Sequence, residues 1–436
     1  MMKLRKWAVF FSMWACGLSL LHLVRVRSPR QLLLRTLKAM GEVLSPVLML
    51  MGAAGAVIGA RAGSPVAVIT GWVGAALSLD YIVRVGRARA NATQALPPGQ
   101  RAAAARARPI RLRNTPRWQR DVPFWTNPES GETLCCDLWL PPREVQPSGL
   151  AILYLHGGGF FSCHKDFGTR FFFRYLAGQG HVVMDADYRL APRADLHTIQ
   201  ADARRALAWL KANASALGAD PQRVIVIGGS AGALLALLVA YTPGHPDLTP
   251  PDLAGIDLSV RGVVSYYGIV DLADLYHGLA PLMDRPARFE PAPEMFDRPL
   301  AKIGVHAGAW IKGAEPEAMR IYLRENAAML RIGPRRGMKI LLGGSPEEAP
   351  QMYDLFSPLH HAGPGSPPTL LFHGEHDYLL PPSGPRSLFR KLESAGVPAV
   401  YVEFPKTEHT FDLFLPRISP PARAALRHLS RFLAQF

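Results

Sequence analysis

The chain has 436 residues, 49 of them Lys or Arg and 34 Asp or Glu, for a net charge of +15 with neutral histidine. With 49% apolar and 19% charged residues it can bury a large core, which excludes an intrinsically disordered chain, and four cysteines are too few for a disulfide framework. The first 120 residues hold 19 basic groups against Glu42 and Asp80 alone, and the rest nets −2; no recognised nucleic-acid fold or interleaved aromatic set accompanies that basic excess, so nucleic acid is not an expected partner.

Three uncharged runs come first, at residues 7–24, 43–60 and 62–79, the last extendable to 83 if Asp80 lies at an interface. A run of this length, at about 1.5 Å per residue, approaches the roughly 30 Å hydrocarbon thickness of a bilayer. Apolar residues surround the whole helix circumference instead of forming one stripe, which argues against buried helices of a soluble cap. The second and third runs are rich in Gly and Ala, which permit close approach in lipid, and are joined by the helix-breaking Arg61-Ala62-Gly63-Ser64-Pro65. Residues 1–83 are therefore expected to be a membrane anchor, with a transmembrane helical hairpin over 43–83. The run at 7–24 follows Lys3, Arg5 and Lys6 as a secretory signal would, but it lacks a small-x-small cleavage site. It reads as an uncleaved additional helix, spanning or interfacial. Basic clusters at 25–38 and 84–89 flank the hairpin while its turn carries only Arg61, which puts both hairpin ends and the rest of the chain on the cytoplasmic face. Residues 84–107 form a basic Arg/Ala/Pro linker, either drawn to anionic headgroups at about 1 kcal/mol per basic residue or simply solvated.

Residues 108–436 then alternate short apolar runs with helical patterns. Strands are expected at 134–140, 150–155, 181–186, 223–228, 261–267, 368–373 and 398–404, and helices at 167–178, 193–215, 230–241, 385–395 and 420–435. Such alternation gives an α/β fold, a doubly wound and mostly parallel sheet covered on both faces. Residues 270–364 interrupt it at a length too great for a plain loop and read as an inserted helical lid, with a Pro-rich start at 281–299 and an apolar stretch at 319–332. Cys135 and Cys136 are adjacent in a strand and point to opposite faces.

Four motifs at strand exits carry chemistry. His156-Gly157-Gly158-Gly159 leaves the strand ending at Leu155, and glycines let bare amides approach a substrate carbonyl. Gly228-Gly229-Ser230-Ala231-Gly232 leaves the strand at 223–228 and opens a helix, the context of a nucleophile elbow, in which Gly228 and Gly232 keep the turn tight. The N–H groups of Gly158, Gly159 and Ala231 are the expected oxyanion hole. Asp377 and His409 follow the last two strands, so the order is Ser, Asp, His, as in α/β-hydrolases. A hydroxyl is a poor nucleophile until His409 accepts its proton, and Asp377 would fix the imidazole tautomer. Asp354 is the competing carboxylate, in a segment without strand character. His156 is expected to brace its loop, not to transfer protons. His373, His376 and Glu408 gain no role from spacing.

Residues 108–436 resemble the hormone-sensitive-lipase-like branch of the α/β-hydrolase superfamily, through the segments around His156, Ser230, Asp377 and His409 and through Asp187-Tyr188-Arg189-Leu190-Ala191-Pro192. The resemblance implies a serine carboxylic-ester hydrolase, an esterase or lipase, with an acyl-enzyme intermediate and no cofactor or metal, acting on a small-molecule or lipid ester. It also implies a structural role for 187–192, with Arg189 pairing a buried carboxylate. Gly229 stands where the family usually has Asp, which draws the reading toward related small-ester, formamide and isoprenylcysteine methyl esterases. Two alternatives use the same residues: an acyltransferase that captures the same acyl-enzyme, and a noncatalytic ligand-binding member of the fold, whose usual mark is a lost triad residue. Because every expected catalytic and oxyanion residue lies beyond residue 108, a separable, soluble catalytic domain is expected.

Overall fold

The computed structural model describes residues 2–26, 32–92, 115–283 and 298–436. The basic linker beyond residue 92, residues 27–31 of the first basic cluster and most of the Pro-rich start of the insertion lie outside the described residues. The chain divides into two compact units, Met1–Ala90 with His373–Pro382 and Val402–Leu429, and Asn91–Phe372 with Ser383–Tyr401 and Ser430–Phe436. This division does not follow the boundary between anchor and enzyme that the sequence suggests: the segments bearing Asp377 and His409 fall in one unit with the N-terminal helices.

The described strands form a mostly parallel sheet, most of which belongs to the larger unit. Its strands are β1 (Ala90–Ala92), β2 (Arg117–Thr126), β3 (Thr133–Leu140), β4 (Gly149–Leu155), β5 (Val182–Ala186), β6 (Ala219–Gly229), β7 (Gly262–Tyr266), β8 (Thr369–Gly374) and β9 (Ala399–Phe404), in the order β1-β9-β8-β7-β6-β4-β5-β3-β2. The pairs β5/β4, β4/β6, β6/β7 and β7/β8 are parallel. Their near-continuous runs of Val, Ile and Leu suit strands buried on both faces. The β2/β3 and β3/β5 pairs are antiparallel. Strand β2 is not among the expected strands, because its Arg, Asp and Pro residues imitate a linker; on an edge strand the same residues discourage pairing with another chain. Helices α4 (Arg170–Ala177), α5 (Leu196–Leu217), α6 (Ala231–Tyr241), α13 (Ser383–Ser394) and α14 (Pro420–Leu433) fall where helical patterns place them. All eleven residues of α6 are buried, as befits a helix that is apolar on every side.

Between β7 and β8 the insertion forms α7 (Leu272–Met283), α8 (Pro299–Lys312), α9 (Pro316–Ile332), α10 (Pro334–Leu342), α11 (Pro350–Leu355) and α12 (Pro358–His361). The last five each open on proline, whose missing N–H costs nothing in a first helical turn. Val305, Ala309, Ala318 and Met319 pack on Cys163 and Phe167, so α8 and α9 cover the loop that comes after the glycine motif at 156–159.

The smaller unit contains α1 (Met2–Leu20), α2 (Leu32–Arg61) and α3 (Pro65–Gly86). With the short 3-10 turn after α1 included, these are three helices long and apolar enough to cross a membrane. Gly63 at φ 64° and Ser64, whose side chain accepts from the Ala67 N–H, end one helix and start the next. A Cβ on Gly71 would stand 2.5 Å from the Gly52 carbonyl oxygen, and one on Gly74 would stand 2.8 Å from the Cys16 nitrogen, so the three backbones pack through small residues. The large apolar side chains Trp7, Phe10, Leu50, Ile69 and Trp72 are exposed on the outside. Helix α2 is longer than the uncharged run that announces it. No proline lies between residues 32 and 43 and the single Gly41 does not stop the helix, so the charges of Lys38 and Glu42 end the run but not the helix.

Candidate active site

Strand β6 ends at Gly229 and α6 begins at Ala231, leaving Ser230 alone in the turn at φ 55°, ψ −119°. A non-glycine residue pays strain there, and the surroundings must hold it. The Ser230 N–H donates to the Tyr266 carbonyl at 2.9 Å. A Cβ on Gly228 would lie 2.1 Å from the Gly232 oxygen, and one on Gly232 would lie 2.1 Å from the Leu155 oxygen, so neither position admits a side chain. At Gly229 the nearest atom to an added Cβ is the Tyr267 hydroxyl at 3.4 Å, so the departure from Asp at this position is not imposed by the turn.

The glycine loop lies against that turn. A Cβ on Gly157 would be 2.9 Å from the Gly229 oxygen and 3.3 Å from the Ser230 Cβ. Gly158 and Gly159 have φ of 123° and 63°, conformations that glycine adopts without strain. His156 is buried, stacks on Tyr188 with ring centroids 4.1 Å apart, and its Nδ1 meets the Gly157 oxygen at 2.8 Å. Burial pulls the imidazole down to about 3, so it stays neutral. The Tyr188 hydroxyl donates to the His156 carbonyl at 2.6 Å. Arg189 grips the fully buried Asp202 through two bonds of 2.7 Å, which gives the 187–192 segment its structural role.

In the smaller unit Asp377 and His409 are brought together. The His409 Nδ1 is 2.6 Å from Asp377 Oδ2, and both residues are buried. The other carboxylate oxygen accepts the N–H groups of Leu379 and Leu380 at 3.0 and 2.9 Å. Burial pushes the Asp377 carboxyl up, but the His409 imidazole beside it and these bonds outweigh that, and the net shift is downward. The competing carboxylate, Asp354, is exposed on α11 and faces His360 at 3.2 Å.

Three neighbours without an expected role take part in this arrangement. The His373 Nε2 meets the Leu380 oxygen at 2.6 Å and Asp377 Oδ2 at 3.4 Å, bracing the loop that holds the carboxylate. His376 and Glu408, each one residue before a member of the acid–histidine pair, both reach Lys38 of α2. Adjacency to Asp377 and His409 is the only sequence signal for them. Ser230, Ala231 and Gly157 to Gly159 belong to the larger unit. Among the described residues, no group of three or more His, Cys, Asp or Glu is arranged to hold a metal ion.

Two protein families match parts of the chain: the one described as BD-FAE over residues 136–290, and the prolyl oligopeptidase family over residues 338–433. The Mycobacterium tuberculosis protein named "Probable carboxylic ester hydrolase LipM" is 27% identical over 287 residues, 65% of this chain and 55% of that protein. Esterase LipQ of the same organism is 25% identical over 296 residues, 67% of this chain and 57% of that protein. The chain thus spans little more than half the length of these relatives. Among solved structures, a thermophilic esterase of Thermogutta terrifontis with butyrate bound superposes with a TM-score of 0.51 at 22% identity, over 75% of this chain and 97% of that one.

Proposed function

We propose, from the premise that this chain is an α/β-hydrolase of the esterase and lipase type, that it is a membrane-anchored serine carboxylic-ester hydrolase. The observation that carries the reading is a serine held alone on a strained strand-to-helix turn, in a chain whose expected acid–histidine pair, Asp377 and His409, is buried and joined at 2.6 Å. In this reaction His409 Nε2 takes the Ser230 proton as Oγ attacks the ester carbonyl, and Asp377 stabilises the imidazolium. The amides of Gly158, Gly159 and Ala231 stabilise the oxyanion; His409 protonates the departing alcohol, and water then releases the acyl group. The exposed large side chains and small-residue contacts of α1 to α3 support anchorage in a bilayer, and the basic flanks of the hairpin favour a cytoplasmic catalytic face.

A fluorophosphonate should label the full chain, and Ser230→Ala should abolish both labelling and ester hydrolysis while leaving the melting temperature close to that of the parent. Labelling that persists in Ser230→Ala would remove the assignment. A series of esters of rising chain length, with and without alcohol acceptors, separates hydrolysis from acyl transfer.

A further inference from the structure

We infer that Lys38, on the membrane helix α2, is a positioning residue for the acid–histidine pair, acting through a buried ion cluster with Glu42 and Glu408. The inference rests on the reading of His409 as the catalytic base. Lys38 Nζ lies 2.9 Å from Glu408 Oε1, 3.2 Å from Glu42 Oε1 and 3.2 Å from His376 Nδ1. Lys38, Glu42 and Glu408 have side chains 0%, 3% and 1% exposed, so water does not share the charge. Glu42 Oε2 in turn accepts the Glu408 N–H at 3.1 Å. A single ammonium therefore touches the residue before Asp377 and the residue before His409.

The neighbouring contacts repeat the arrangement. Lys406 Nζ is 3.1 Å from Asp80 Oδ2, and the Thr407 hydroxyl is 3.1 Å from the Tyr81 hydroxyl. Three consecutive residues leading into His409 are thus each held by a side chain of α2 or α3. The two loops are also clasped to each other, since the His376 N–H donates to the Thr407 oxygen at 3.0 Å. Burial and the Lys38 charge pull the His376 imidazole down to about 4, so its Nδ1 is neutral and able to accept from the ammonium. Burying one lysine with two carboxylates is costly, and apolar side chains would fill the same space more cheaply. What such a cluster supplies is a unique register between helix and loop.

The test uses the full chain in detergent, with Lys38→Met and the double variant Lys38→Met/Glu408→Gln, p-nitrophenyl butyrate as substrate, and a fluorophosphonate as a second probe of Ser230. Loss of Lys38 removes the partner that Glu408, Glu42 and His376 share. Lys38→Met is expected to lower kcat by about 10- to 100-fold, as a small misplacement of a catalytic group does, with KM unchanged. kcat is read per fluorophosphonate-titrated serine, so a loss of folded enzyme alone leaves it unchanged, whereas a misplaced His409 lowers it. In the double variant kcat should stay low, since the tether is still missing. Wild-type kcat per titrated serine in either variant overturns the inference, and so does a fall in kcat accompanied by a matching rise in KM. Should Lys38→Met fail to fold, the double variant decides by kcat and KM alone. If the parent labels but hydrolyses no ester, the substrate reading fails and the labelling rates still test Lys38; if it neither labels nor hydrolyses, both fail.

Discussion

The serine turn and the histidine loop are supported in opposite ways. Ser230 is held by what immediately surrounds it in its own unit: glycines at 228 and 232, the end of β4 and the carbonyl of Tyr266. His409 ends a loop held by side chains more than 300 residues earlier, Lys38, Glu42 and Tyr81. The first device is steric and works through backbone contact, so glycine alone satisfies it. The second is electrostatic and works through partners that only the folded chain brings close. A steric support tolerates no added atom, whereas an ionic one tolerates no lost partner.

The largest effect expected on the histidine side comes from the acid itself. Asp377→Asn should lower kcat by about 10⁴-fold by presenting the wrong imidazole tautomer. Asp354→Asn, on an exposed side chain facing His360, should stay within about twofold, as surface changes do. Comparable losses from both, read as kcat on a water-soluble ester, would break the assignment of the acid.

Next in size is removal of the N-terminal helices. A chain beginning at Arg108 retains every expected catalytic residue, yet it lacks Lys38, Glu42, Asp80 and Tyr81. Its activity on a short, water-soluble ester should fall by about 100-fold or more, the scale of a misplaced catalytic group. Full activity in that truncated protein would bear out the expectation of a separable domain and erase the contrast between the two regions.

On the serine side, substitution should discriminate between neighbouring glycines. Gly232→Ala places a Cβ 2.1 Å from one carbonyl oxygen and 2.3 Å from another, and should destabilise by about 1–3 kcal/mol or more with loss of labelling. Gly229→Ala meets nothing closer than 3.4 Å and should label at a rate within about threefold of the parent, as a volume change that the site accommodates. Equal effects would mean that the turn is not what the glycines protect.

The same contrast explains what is legible in the amino-acid order. The elbow, the glycine loop and the seven inner strands are written locally, in short apolar runs, and they lie where those runs place them. Strand β2 is hidden because an edge strand keeps the charges and proline of a linker. Lys38 and Glu42 look like the border of an apolar run, since a charge four residues from its opposite resembles an ordinary helix-surface pair until Glu408 is folded against it. His373 and His376 stay silent for the same reason. Their roles rest on Leu380 and Lys38, and no spacing rule links those positions.

One long-range brace exists on the serine side, and it gives the smallest and most specific test. Glu325 of α9 accepts the Cys163 N–H at 2.9 Å, just beyond the glycine loop. Its carboxyl is half-buried, and burial, offset in part by that bond, raises it from 4.5 to about 7. An acid with a folded-state pKa above its unfolded value binds more protons in the folded state, so its contribution is fully present below about 4.5 and is lost as pH rises through 7. Glu325→Gln keeps an oxygen that can accept from Cys163 but has no charge to bury. The melting temperature of the variant relative to the parent should therefore rise between pH 4.5 and 8, by about 2 °C for a fraction of the stability of a domain this size. Melting curves that stay parallel across that range would show that α9 holds the loop without burdening the carboxylate.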